Sequence, residues 1–266
     1  MNSKLIWQIL NSITIALLAL VMLIFFGIMP FDYMFVPLIF SGLFFSFFLL
    51  MNWYYLKRGS IVFFFVAFLG AIGYEIFAKY HHFFTYQEGL VSFQNIPICV
   101  ILTWFAFLSH IHHYNNGFLT FLGFEKPKKQ DENIKLLAIL IIADGLQTAI
   151  LGQVLDFTLV KTGFWIWDKS IVESSFHEWY VGAFFLIIGT LVSLVFRLFE
   201  YFSNAIQIKR PMENYLSFNI THLLSLLLGI GTIVYHFEPF YLINIIILAL
   251  NVIVFDFLFK RNKLKP

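Results

Sequence analysis

The sequence predicts an all-α, polytopic membrane helix bundle of about eight spans, with both termini on the cytoplasmic side. Three observations carry that prediction. Hydrophobic residues make up 60% of the 266 and charged residues only 12%, with a mean hydropathy of +0.84. A soluble domain is about half apolar and about a quarter charged. Eight apolar stretches stand between polar breaks, each near the ~20 residues that cross a bilayer as a helix. Finally, 14 of the 17 Lys and Arg residues fall in alternate segments, as they do when positive loops stay inside.

The first stretch, Leu5–Met29, is long and lacks a small-residue cleavage site, so it reads as a retained helix rather than a signal peptide. Phe31–Leu56 follows and ends at the inner pair Lys57 and Arg58. Ser60–Tyr80 carries Glu75 toward its outer end. A long aromatic outer loop, His81–Asn95, leads to Ile96–His113, which closes on the run HIHH. The inner loop 114–133 contains EKPKKQDEN, a solvated polar turn. Ile134–Val160 carries Asp144 near its middle, Gln147 on the same face, and Asp156 further out. The second aromatic outer loop, Lys161–Glu178, runs KTGFWIWDKSIVESSFHE. Three more spans follow at Trp179–Phe202, Tyr215–Tyr235 and Phe240–Phe259. No linker divides the chain, so residues 1–266 read as one domain. Spans three and four, and spans five and six, each carry an acid near the outer end and join through an aromatic loop, a hint of internal repetition.

Several functions are excluded. A net charge of +2 with scattered cations does not suit nucleic acid. The single cysteine, Cys99, lies in an apolar run and builds no disulfide framework. There is no P-loop, dinucleotide fingerprint, HExxH or CxxC, and no DxxxD or NDxxD run to hold a magnesium–diphosphate. The histidines fall on two sides: His110, His112 and His113 inside, His81, His82, His177 and His236 outside. A bilayer core about 30 Å thick separates the groups. The inner set reads as a helix end snorkelling to water. The outer set, with Glu178 or Glu238, stays open as a metal site, but the expectation is no metal and no cofactor.

What remains is the ionisable groups inside spans. A carboxylate at a helix centre costs about 2.5–3.5 kcal/mol on insertion scales, so such residues usually face the bundle interior. Glu75, Asp144 and Asp156 are the candidate general acids. Each has a plainer alternative: Asp144 as a buried structural acid, Glu75 and Asp156 as residues reaching the outer interface. Asn219 with His222, and Asn244 with Asn251, read as interhelical hydrogen bonds. Arg197 and Glu200, spaced i,i+3, read as a surface ion pair. Trp104, Trp165, Trp167 and Trp179 lie near the outer ends, as do Glu75, Asp156 and Asp168. An interfacial aromatic belt is the plain account. The sharper one is acid beside aromatic wall: a buried carboxylic acid protonates an alkene, and aromatic faces stabilise the carbocation. That is proton-initiated terpenoid chemistry, and it needs no cofactor.

The run GYE at 73–75, Tyr86, IPICVILTW at 96–104, Asp144 and LDFTLVKTGFWIWD at 155–168 together resemble integral-membrane carotenoid biosynthesis proteins, including carotenoid hydratases of the bisanhydrobacterioruberin type. The resemblance covers about residues 70–200. It implies a polyene substrate taken from the bilayer and water added across its terminal isoprenoid double bond. It implies acid roles for Glu75, Asp144 and Asp156. It makes Tyr86, Trp104, Trp165, Trp167 and Trp179 the substrate-contacting aromatics, with Gly163 in the loop. Phe157 stands where the family carries Pro, and SSFHE at 174–178 replaces its Gly-x-Pro and Asn stretch. The Pro-x-Glu-Glu motif of membrane-type lycopene cyclases is represented by Glu178 alone.

Three readings therefore stand. The first is a cofactor-free carotenoid hydratase. The second is a proton-initiated cyclase or isomerase on the same acyclic substrate, in which no water is captured. The third is a non-catalytic lipid or carotenoid carrier or a transporter, where Gly145, Gly152, Gly229 and Gly231 would allow broken helices.

Overall fold

The computed structural model describes residues 3–25, 35–56, 59–121, 130–161, 164–168 and 177–202, and four isolated positions at 246, 249, 250 and 253. The seventh and eighth predicted spans, with Asn219, His222, Asn244 and Asn251, therefore lie outside the described residues. The elements are α1 (Ser3–Phe25), α2 (Val36–Leu56), α3 (Gly59–Tyr80), β1 (Phe84–Tyr86), β2 (Ser92–Phe93), β3 (Ile96–Pro97), α4 (Ile98–Phe121), α5 (Gln130–Lys161), β4 (Trp165–Trp167) and α6 (His177–Phe202). The protein is mostly helical. Four helices, α2, α3, α5 and α6, are long and apolar enough to cross a membrane.

Both faces of these helices are apolar, because one meets protein and the other lipid. On α3 the exposed stripe is Ile61, Phe65, Leu69 and Ile76, while Phe63, Ala67, Ala71, Glu75 and Ala78 are buried. Alternation every three to four residues separates the two faces. On α6, Ile187, Leu191 and Val195 are exposed, and Val181, Phe185, Ile188, Val192 and Phe196 are buried.

α4 follows a different logic. It packs against α2, α3 and α5, and its residues from Cys99 to Asn115 are almost all buried. Surrounded by protein, it tolerates Ser109, three histidines and Asn115, because partners lie on every side. The helix also runs to Phe121, past the predicted end at His113. The expectation that HIHH is a helix terminus snorkelling to water is thus corrected: His110, His112 and His113 are mid-helix and buried.

The two long aromatic loops of the sequence reading contain strands, which, with Ile96–Pro97 just past the first loop, form two small antiparallel sheets. In the β2–β3 hairpin, Ser92 pairs with Pro97 and Phe93 with Ile96. Its two-residue turn, Gln94–Asn95, has positive φ at both positions (52° and 62°), the backbone of a type I′ turn. Lys79 Nζ ties the hairpin to α3 by donating to the Gln94 carbonyl at 2.7 Å. The second sheet joins the two aromatic loops, with Phe84 opposite Trp167, Thr85 opposite Ile166 and Tyr86 opposite Trp165.

That register exposes an internal two-fold relation. Ile166 stands 81 residues after Thr85, and the strands pair symmetrically about that rung. Gln87 N–H donates to the Phe164 carbonyl (2.9 Å) and Asp168 N–H to the Phe83 carbonyl (2.8 Å), which are the same bond under an 81-residue shift. The helix ends before the strands match too: Phe83 N–H bonds the Ala78 carbonyl, and Phe164 N–H the Leu159 carbonyl. In the first copy His82, at φ 54°, completes a Schellman cap by donating to the Lys79 carbonyl. α3 and α5 end, and α4 and α6 end, at the same shift. Equivalent residues also meet each other below the sheet, as they do only near such an axis. Trp104 meets Phe185 at 5.4 Å with the rings tilted, and Arg197 bonds Asn116.

The halves are not equally tight. Between α5 and α6 a Cβ on Gly145, Gly152, Gly182 or Gly189 would fall within 2.2–2.5 Å of Thr190, Phe185, Gln153 or Thr148 respectively. These glycines let the two backbones approach, the small-residue packing of membrane helices. α5 is continuous from Gln130 to Lys161, so Gly145 and Gly152 are packing glycines and not the helix breaks that the transporter reading expected. Gly229 and Gly231 lie outside the described residues.

Candidate functional site

The sheet formed by β1 and β4 lies beyond the C-terminal ends of α3 and α5, and it delivers aromatics to two buried carboxyl groups. Alternation along each strand explains the selection. Phe84 and Tyr86 on β1, and Trp165 and Trp167 on β4, turn toward the bundle, while Thr85 and Ile166 are exposed. Each strand begins a few residues past its helix cap, so the chain turns back over the last turns of its own helix. Glu75 precedes Tyr86 by the same eleven residues that separate Asp156 from Trp167.

Asp156 is fully buried (0% exposed). Its Oδ1 accepts the indole N–H of Trp165 at 3.0 Å and that of Trp167 at 2.9 Å. Its Oδ2 is buried and has no hydrogen-bond partner among the described residues. Glu75 (1% exposed) is bonded differently. Its Oε1 accepts from Trp104 Nε1 at 2.7 Å, and its Oε2 accepts from the Tyr86 hydroxyl. Burial, reinforced by the neighbouring Glu75 charge, pushes the Tyr86 phenol well above its usual range, so Tyr86 stays a donor at any physiological pH.

The surroundings are aromatic. Phe84 stacks on Trp165 (5.7 Å) and meets Trp167 edge-on (5.2 Å). Tyr86 meets Trp165 at 6.2 Å, which links the two acids through one aromatic contact. Tyr74 meets Trp104 at 5.3 Å and Phe184 at 6.4 Å, and it lies within electrostatic reach of both Glu75 and Asp156. The plain expectation of an interfacial belt does not describe Trp165 and Trp167, which are buried and bonded to an acid.

Six of the predicted residues, Glu75, Asp156, Tyr86, Trp104, Trp165 and Trp167, meet in this cluster. Asp144 does not. It lies twelve residues before Asp156 on the same helix, about 18 Å away at 1.5 Å per residue. The side chain of Trp179, and those of His177 and Glu178, lie outside the described residues, as do His236 and Glu238. His81 and His82 are exposed. No group of three or more metal-ligating side chains occurs among the described residues.

Asp144 belongs to a second buried network at the opposite end of the axis. Its Oδ2 accepts from Arg197 Nε and Nη2 (3.1 and 3.0 Å) and from Ser193 Oγ (2.6 Å), and its Oδ1 accepts from Asn115 (2.8 Å). Arg197 Nη1 also donates to Asn116 Oδ1 (2.7 Å) and Glu200 Oε2 (3.2 Å). His112 Nε2 lies 3.6 Å from Glu200 Oε1. Arg197 and Glu200 are therefore not a surface pair as expected. Arg197 is 1% exposed, with every nitrogen of its planar head engaged, the arrangement that makes a buried cation tolerable. A further chain, His113–Asn52–Ser109 at 2.7 and 2.9 Å, ties α4 to α2.

Tyr74, Phe84 and Phe185 escaped the sequence reading. Under the 81-residue shift Phe84 aligns with Trp165 and Phe185 with Trp104, aromatic on aromatic, whereas Tyr74 aligns with Leu155 and is marked only by its place beside Glu75. Phe185 is one of 36 phenylalanines and carries no local signal. No family model, no curated protein and no solved structure matches the chain.

Proposed function

We propose that this chain is an integral-membrane enzyme of carotenoid metabolism that adds water to a terminal isoprenoid double bond, with Asp156 as the proton donor. The full chain is read as eight spans in the cell membrane with both termini cytoplasmic, following its positive charges. One observation carries the assignment of the donor: a buried carboxyl group with two donors on one oxygen and, among the described residues, none on the other. The residues around it are the ones through which the sequence resembles carotenoid hydratases.

The chemistry balances without a cofactor. The proton on Oδ2 passes to the less substituted alkene carbon, and the double-bond electrons form the new C–H bond. The positive charge falls on the tertiary carbon, beside the faces of Trp165, Trp167 and Phe84. The indole N–H groups of Trp165 and Trp167 hold the negative charge left on Asp156, acting where charge develops. Water forms the C–O bond, and its surplus proton returns to Asp156 Oδ2. Glu75, bonded on both oxygens, contributes a fixed charge near the cation. Asp144 acts in packing, not in this step.

The test is expression in cells that accumulate acyclic carotenoids, with extracted pigments read by chromatography and mass detection. A product heavier by one water, absent in Asp156→Asn and retained in Asp144→Asn, supports the reading. A product of unchanged mass and shifted absorption replaces it with cyclisation or isomerisation. No conversion of any acyclic carotenoid by folded protein favours a carrier.

A further inference from the structure

We infer that Trp104 assigns the roles of the two carboxyl groups: its indole closes Glu75 as a proton donor, and the phenylalanine at the equivalent position leaves Asp156 open. Trp104 is thus a positioning residue, acting through Glu75. The inference rests on reading this cluster as an acid site, and not on the identity of the substrate.

The argument starts from the duplication. Glu75 and Asp156 are equivalent under the 81-residue shift, and so are Tyr86 and Trp167. In both copies the residue eleven positions after the acid donates to it. The copies then diverge at two places. Trp165 adds a second donor to Asp156 Oδ1, where its equivalent Phe84 has none to give. Trp104 supplies Glu75 Oε1, where its equivalent Phe185 has none. Trp104 and Phe185 face each other across the axis at 5.4 Å, so the difference is one indole against one phenyl at matched positions.

The consequences follow from donor counting. A carboxyl oxygen that already accepts a hydrogen bond can still take a proton, but protonation weakens that bond, so a donor on each oxygen favours the carboxylate, whereas protonating an oxygen with no donor costs no bond. Glu75, with a donor on each oxygen, is in the first state. Asp156 gathers both donors on Oδ1, so Oδ2 carries the proton and presents it. A duplicated pair of equivalent acids has become one donor and one fixed charge.

Infrared difference spectroscopy in light and heavy water reads this directly, because a protonated carboxyl has a carbonyl band that shifts on deuteration and a carboxylate does not. In the full-length protein in lipid, one such band is expected to vanish in Asp156→Asn and to persist in Glu75→Gln. Trp104→Phe, which keeps the ring against Tyr74, Phe107 and Phe185, is expected to add a second band of similar size. That band is lost when Glu75→Gln is combined with it. Tyr86→Phe, which frees the other oxygen, is expected to add the same band and serves if Trp104→Phe fails to fold. A wild-type band that follows Glu75, or an unchanged spectrum in the folded Trp104→Phe or Tyr86→Phe protein, overturns the inference. These spectra need no substrate. An intact pattern in a protein that hydrates nothing supports the assignment of the acids and refutes the proposed reaction alone.

Discussion

Replacing Trp167 by Phe removes one hydrogen atom's worth of chemistry from the proposed acid and little else. The ring remains against Phe84, its partner at 5.2 Å, and Trp165 still donates to the same oxygen at 3.0 Å. Before proton transfer the lost bond joins an indole to a neutral acid, worth about 0.5–1.5 kcal/mol. After transfer it joins an indole to a carboxylate, worth about 1.5–3 kcal/mol. The difference, about 1–1.5 kcal/mol, is the stabilisation removed from the charged side of the step. At 1.36 kcal/mol per tenfold it slows the chemical step by a factor of about 5 to 13. Substrate binding, which precedes the charge, changes little. Single-turnover conversion of an acyclic carotenoid in liposomes, sampled by chromatography, measures this. The double variant Trp165→Phe/Trp167→Phe leaves the carboxylate without either donor and is expected to be slower again. A rate unchanged in both folded variants refutes the idea that the indoles hold developing charge.

Further outcomes follow from the packing and the second network. Arg197→Met takes the guanidinium away from the buried Asp144 and Glu200, and breaking such a pair costs about 3–5 kcal/mol; the thermal unfolding temperature in detergent should fall sharply. Gly152→Ala puts a Cβ 2.3 Å from the Phe185 ring, an overpacking worth about 1–3 kcal/mol, and lowers the Tm. Gly73→Ala on α3, whose Cβ would meet nothing within 4 Å, does not lower the Tm, because it makes no clash and Ala is the better helix former, and serves as its control. Asn52→Leu removes the amide that joins His113 and Ser109 across α2 and α4, a loss of about 1–3 kcal/mol read by the same melt.

Much of the helical layout was legible because apolar length is a local signal. Six predicted spans correspond to described helices, with ends shifted by a few residues except at α4. That helix was misjudged at HIHH because its polar residues mark protein contact on all sides, and a hydropathy pattern reads them as water. The same error turned Arg197 and Glu200 into a surface pair: i,i+3 spacing shows that two residues adjoin, not what faces them. Glu75 and Asp156 were visible as acids out of place in apolar helices. That Asp144 serves a different network was not visible, because twelve residues along one helix look close in sequence and span about 18 Å in space. The sequence marks the rings of Trp165 and Trp167 as a wall, whereas in the structure their N–H groups both bond Asp156. Only strand pairing between two loops 81 residues apart turns them toward Asp156, and long-range register leaves no local trace.

The claim that Asp156 delivers the proton is tested most directly by running the reaction in deuterium oxide. Purified protein in liposomes, given an acyclic carotenoid, is predicted to yield a water adduct carrying one carbon-bound deuterium beside the new alcohol. Asp156→Asn, folded and inserted, is predicted to yield none. A water adduct without carbon-bound deuterium, or one formed equally well by Asp156→Asn, would contradict the account.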